Sequence, residues 1–294
     1  MNWLVDFFIA PFVEFEFMAR ALVGSVCLAL SATPIGILLI MRRLSLTGDA
    51  IAHAILPGAA MGYVIAGMSL FAMALGGFIA GVLVALLSGY IARTTPLRED
   101  ASLAAFYLIS LALGVIIVSL RGGNVDLLHL LFGSILALDN AALGLIAGVC
   151  VLSLTMLAIF YRAWILEAFD PLYFQSRRAW RAGVHSSFLI ICVLNLVSGF
   201  HALGTLMAVG MMVLPGICAG FWVRTIPGAM LVGILIGAGA SYLGLLTAFH
   251  ANLPAGPCII LVIGLAYLVS ILVGQRGCLA SWLAKPTAST LLET

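Results

Sequence analysis

Charge is scarce in this sequence. Of its 294 residues, 8% are Asp, Glu, Lys or Arg and 64% are hydrophobic, where a soluble domain carries roughly 25% charged residues. Such a chain cannot cover itself with a water-compatible surface, and it is not polar enough to stay disordered either. With 13 basic against 11 acidic residues the net charge is +2, which leaves no basic face for a nucleic acid. Lysine occurs once, as Lys285 followed by Pro286, so no GxxxxGK[ST] phosphate loop exists and the chain cannot hydrolyse ATP by that route. HExxH and GxSxG are missing too, which disfavours those hydrolase chemistries. The six cysteines form no CxxC pair, and five of them (Cys27, Cys150, Cys192, Cys218, Cys258) stand in apolar runs. They read as small hydrophobes and not as a thiolate metal site or redox centre. The first twenty residues lack a basic n-region and carry Asp6, Glu14 and Glu16 around Pro11, unlike a cleaved signal peptide.

What is present is a series of apolar runs: 18–41, 45–66, 70–92, 101–120, 140–161, 184–200, 203–221, 227–248 and 257–275. About 20 apolar residues span a bilayer as a helix, so the expected architecture is an all-α polytopic bundle of nine spans. If the amino terminus lies outside, eleven of the thirteen basic residues fall on the cytoplasmic side and only Arg20 and Arg121 outside. The positive-inside rule therefore orients the chain with its amino terminus out and its carboxyl terminus in. Residues 1–17 read as an interfacial leader, 18–276 as the membrane domain and 277–294 as a cytoplasmic tail. Residues 121–140 are too short and punctuated to cross again and predict a short interfacial or re-entrant helix outside.

The segment 162–182 holds four arginines. Within it Asp170-Pro171 is a favoured helix start, and Arg177 and Arg178 suit the helix end. It predicts a short cytoplasmic helix for a soluble partner to grip, the alternative being a basic loop that only fixes topology.

Charges inside spans are functional candidates by default. Asp49 is the one acid that falls well within a run, in SLTGDAIAHAILPG, and His53 follows four residues later. That spacing puts both on one helix face, and carboxylate plus imidazole suits a borderline divalent cation. Two ligands are too few to hold an ion, so the same helix of a second copy is expected to complete an Asp₂His₂ set, with the pathway between subunits. The alternative is a structural Asp–His hydrogen bond. Pro57-Gly58 just beyond the pair, echoed by Pro215-Gly216 in the seventh run, suits a hinge or gate. Near the outer face Asp126, His129, His201 and His250 are possible metal contacts, while His185 at the inner end of the sixth span reads as structural.

Taken together, RRLSLTGDAIAHAILPG (42–58), GNVDLLHLLFGSIL (123–136), Phe169-Asp170-Pro171, GTLMAVGMMVLPG (204–216) and NLPAGPCIIL (252–261) resemble the membrane subunits of the zinc/manganese/iron ABC importers, over residues 18 to 276. The resemblance implies a type II-like importer permease in the bacterial cytoplasmic membrane. It implies a homodimer, or a dimer of close relatives, with two cytoplasmic ATPase subunits and an extracytoplasmic metal-binding protein, and no permanently bound cofactor. Asp49 and His53 match the family's pathway motif, and Phe169-Asp170-Pro171 its ATPase-coupling helix. Where the family commonly has Asp before the last outer Leu-Pro, this chain has Asn252. The resemblance points to zinc as cargo ahead of manganese or iron. A metal-dependent intramembrane enzyme and an importer of a bulkier chelate are the competing readings.

Overall fold

A computed structural model describes residues 7–44, 47–67, 69–96, 99–120, 138–169 and 178–277. Among these the chain is helical throughout, with no strand. A short α1 (Ala10–Glu14) breaks at Phe15, whose φ of −110° and ψ of 107° are extended. Nine longer helices follow: α2 (Glu16–Met41), α3 (Thr47–Ala66), α4 (Leu70–Thr94), α5 (Glu99–Leu120), α6 (Asn140–Phe169), α7 (Arg178–Leu203), α8 (Thr205–Gly220), α9 (Ile226–Ala251) and α10 (Ala255–Val273). Each overlaps one of the nine apolar runs. Seven are long and apolar enough to cross a membrane; the shorter apolar stretches Ala101–Gly114 and Thr205–Gly220 fall in α5 and α8.

Contacts between helices fix their directions. Thr33 meets Met211, and Ile37 and Ile40 meet Gly216, so α2 and α8 run parallel. Ala29 and Thr33 meet Gly237 and Gly233, so α9 runs against α2. Asn195 donates to Ser153 Oγ at 2.8 Å and Trp164 to Ser187 Oγ at 3.1 Å, which sets α7 against α6. The even-numbered helices from α2 to α10 thus point one way and α3, α5, α7 and α9 the other. We call the end where α2 begins proximal and the opposite end distal. α2 and α7 are buried along most of their length at the centre, whereas α4, α6 and α10 present wide apolar faces outward, as a lipid-facing ring does.

Small residues and prolines shape the interior. Gly58 of α3 and Gly76 of α4 press backbone against backbone, and a Cβ on either would enter the other's carbonyl; such contacts let membrane helices approach closely. Pro215 has no N–H to give the carbonyl of Met211, one turn earlier. The Thr33 hydroxyl on α2 donates to that carbonyl instead, at 3.1 Å. Beside Pro57, Ser110 on α5 donates to the Ala54 carbonyl at 3.1 Å. Both prolines lie inside continuous helices, and at Pro215 the carbonyl left without its helical donor is supplied from a neighbour.

At the proximal end the leader packs onto α9. Phe7 stacks on His250 with centroids 4.0 Å apart, Tyr242 donates to the Phe8 carbonyl at 2.8 Å, and Phe15 meets Phe249. Asn252 caps α9 in the left-handed region (φ 53°), a conformation asparagine tolerates well.

Candidate metal pathway and its distal anchor

Asp49 occupies the first turn of α3 and His53 the next. Gly48, beside them, packs on Val209, Met212 and Val213 of α8. Met212 also faces Gly36, five residues or about 7.5 Å before the end of α2. The start of α3 thus packs on α8 toward the distal end of the bundle, and the pair lies there. His53 Nε2 lies 3.7 Å from Asp49 Oδ1, beyond hydrogen-bonding distance, so the pair is not locked to itself. Two donors on a tetrahedral ion with bonds of ~2.1 Å stand ~3.4 Å apart, within a small side-chain adjustment of this geometry. The Asp49 side chain is 64% exposed and that of His53 28%. His53 Nδ1 is enclosed and has no hydrogen-bond partner among the described residues, and the ring faces Tyr107 of α5 with centroids 6.0 Å apart. No group of three or more His, Cys, Asp or Glu gathers around one point among the described residues. A single chain therefore offers a cation two donors on an open helix face.

The other sequence-derived candidates are scattered. Asp126, His129, Asp170, Pro171 and Arg177 lie outside the described residues, as does most of the expected re-entrant segment. His201 and Arg178 lie on the backbone of α7. Phe169 is the exposed last residue of α6. His250 sits with Phe7 at the proximal end, its Nε2 3.2 Å from the Phe7 carbonyl. Pro57, Gly58, Pro215 and Gly216 occupy the helix interiors described above.

Among the described residues the most buried acid is Glu167, not Asp49. Sequence reading ended the fifth span at 161, whereas α6 continues to Phe169, 30 residues in all, or about 45 Å against a hydrocarbon core of about 30 Å. Glu167 rides on the added turns. Its Oε2 lies 2.9 Å from Arg42 Nη2, each side chain 6% exposed, and its Oε1 lies 3.1 Å from His185 Nδ1. Arg42 also donates to the Trp164 carbonyl at 3.1 Å and sits 3.9 Å over the Phe188 ring. The cation thus meets the negative end of α6 and an aromatic face at once. Trp164 and Phe188 are fully buried around this cluster. A cavity of about 350 Å³, lined by Leu86, Leu87, Gly89 and Tyr90 of α4 and His185, Ser186 and Leu189 of α7, opens beside it. His185 is a partner in an ion cluster, and its i+3 neighbour Phe188 completes the cluster's apolar wall. An acid three residues after a tryptophan in an otherwise apolar run was the signal available in the sequence.

Just beyond Arg42, α2 is closed off. Arg43 adopts φ 61°, its N–H reaches the Ile40 carbonyl at 3.0 Å, and the Leu44 N–H reaches the Leu39 carbonyl at 3.0 Å. This is a Schellman stop, here without the usual glycine.

Residues 14–274 match the family model described as the ABC 3 transport family. The manganese import system permease protein ScaB of Streptococcus gordonii is 31% identical over 93% of this chain and 97% of its own length. The chelated iron transport system membrane protein YfeD of Yersinia pestis is 26% identical over 92% and 90%. Among solved structures, PsaBC from Streptococcus pneumoniae in complex with Fab matches with a TM-score of 0.82 and 27% identity, covering 94% of this chain and 98% of that one. These relatives are named for manganese and chelated iron, where the sequence had pointed first to zinc. The chain is a multi-pass membrane protein of the ABC 3 transport family.

Proposed function

We propose that this chain is the membrane-spanning permease subunit of an ATP-driven importer of divalent transition metal ions in the bacterial cytoplasmic membrane, with manganese as its cargo. In this reading all nine long helices cross the bilayer, the proximal end faces outside and the distal end faces the cytoplasm. The positive-inside count and the alternating helix directions support that orientation. The single observation that carries the metal pathway is the open carboxylate–imidazole pair, Asp49 and His53, in a chain that matches the family over residues 14–274. Because one copy leaves Asp49 exposed, the pair is completed by the same helix of a second copy, and the ion passes between them by alternating access. Residues 170–177 meet a separate cytoplasmic ATPase, and an extracytoplasmic metal-binding protein delivers the ion. Asp49 and His53 serve as a passing site, since a ligand set shared between two subunits opens when they part.

Manganese is placed ahead of zinc because Asp and His accept either ion and ScaB, the relative reported above at 31% identity, carries manganese in its name. The chelated-iron relative favours a second reading, in which the cargo is an iron chelate. Uptake into proteoliposomes holding the permease, its ATPase and its binding protein tests both. ATP-dependent manganese accumulation, reduced by excess manganese more than by zinc or an iron chelate, is the expected result. Preferential competition by the chelate would favour the second reading, and no ATP-dependent metal uptake at all would sink the proposal.

A further inference from the structure

The Arg42–Glu167–His185 cluster occupies the place where three helix ends meet: the last residues of α2, the last turn of α6 and the first turns of α7. Glu167 lies three residues before segment 170–177, and His185 eight residues after it. Arg42 lies seven residues before Asp49; between them Arg43 is left-handed, Leu44 is buried and the Thr47 N–H donates to the Leu44 carbonyl at 3.0 Å.

Apolar contacts between helix ends can slide by one rotamer step. A buried ion pair cannot, because separating the partners leaves a charge stranded in an apolar wall. Stability alone does not call for charges here, since buried ion pairs are commonly matched or bettered by packed apolar residues. We propose that the Arg42–Glu167–His185 cluster is a strut that transmits displacement of segment 170–177 to the start of the helix that carries Asp49 and His53. Its members are positioning residues that set how much metal moves per ATP hydrolysed. The inference rests on the reading of 170–177 as the ATPase-facing segment.

The complete complex in proteoliposomes tests it, with ATP hydrolysis and manganese uptake read from the same vesicles. Glu167→Gln keeps the side chain's size and removes its charge. R42M/E167M removes both charges, leaves neither stranded and keeps the wall filled. Both assembled variants are expected to retain basal ATP hydrolysis, while manganese taken up per ATP falls about tenfold, an ordinary coupling loss between linked sites. A merely stabilising cluster would lower the yield of complex and leave that ratio unchanged. A wild-type ratio in either assembled variant would overturn the proposal. Failure of both variants to assemble would overturn it too, because the cluster would then serve folding. If the wild-type complex shows no ATP-dependent uptake, the reading of the chain as a permease fails first, before any variant is compared.

Discussion

Thr33→Val removes one hydroxyl and nearly nothing else. Thr33 is fully buried, and its Oγ1 lies 3.1 Å from the Met211 carbonyl, the acceptor that Pro215 leaves without its usual helical donor. Valine keeps the branched shape, so the change isolates the hydrogen bond. Polar contacts between membrane helices average about 0.6 kcal/mol and reach about 1.7, while stranding a buried carbonyl costs about 1–3 kcal/mol. Because the helix cannot supply this carbonyl from residue 215, the cost belongs near the top of the membrane range, at about 1.5 kcal/mol. Pro215→Ala restores a backbone N–H one turn along, and in that background Thr33→Val should cost only about 0.5 kcal/mol. The cycle is read by denaturant unfolding in detergent micelles, followed by tryptophan fluorescence, and any packing loss at residue 215 cancels from it. An equal cost of Thr33→Val in both backgrounds would refute the idea that Thr33 stands in for the missing donor.

Two further outcomes follow from local geometry. Tyr107 presents its ring to His53, so Tyr107→Leu should raise the KM for manganese uptake several-fold, in keeping with about 0.5–1.5 kcal/mol for a ring contact, while Tyr107→Phe stays at the wild-type value; equal effects of the two would assign the role to the hydroxyl. Arg43 holds a left-handed backbone at φ 61°, so Arg43→Gly should stabilise the protein by a net ~0.5–1 kcal/mol once the freer unfolded chain is counted, seen as a higher unfolding midpoint in detergent.

The helices were legible because each must bury its backbone polar groups within itself in lipid, which forces long apolar runs. Asp49 and His53 were legible for the same reason that makes any helical pair so: four residues return to one face. Their exposure was not, because it depends on which neighbours cover α3. Glu167 is not legible in the sequence because Tyr161-Arg162 resembles a water boundary, whereas Ala163, Trp164 and Ile165 carry α6 past it into the core. Its partner Arg42 is 125 residues away, and Thr33 and Met211 are 178 apart; no local periodicity encodes such pairs. The resemblance points to zinc, but the donors themselves do not separate zinc from manganese, and the relatives reported above are named for manganese and chelated iron.

The most direct measurement is manganese uptake by the assembled complex carrying Asp49→Ala or His53→Ala. Asp49 is exposed and His53 partly so, and neither is hydrogen-bonded to the other, so both variants should fold, insert and assemble with wild-type yield while ATP-dependent uptake is lost. Wild-type uptake by both variants would contradict the pathway along this face of α3.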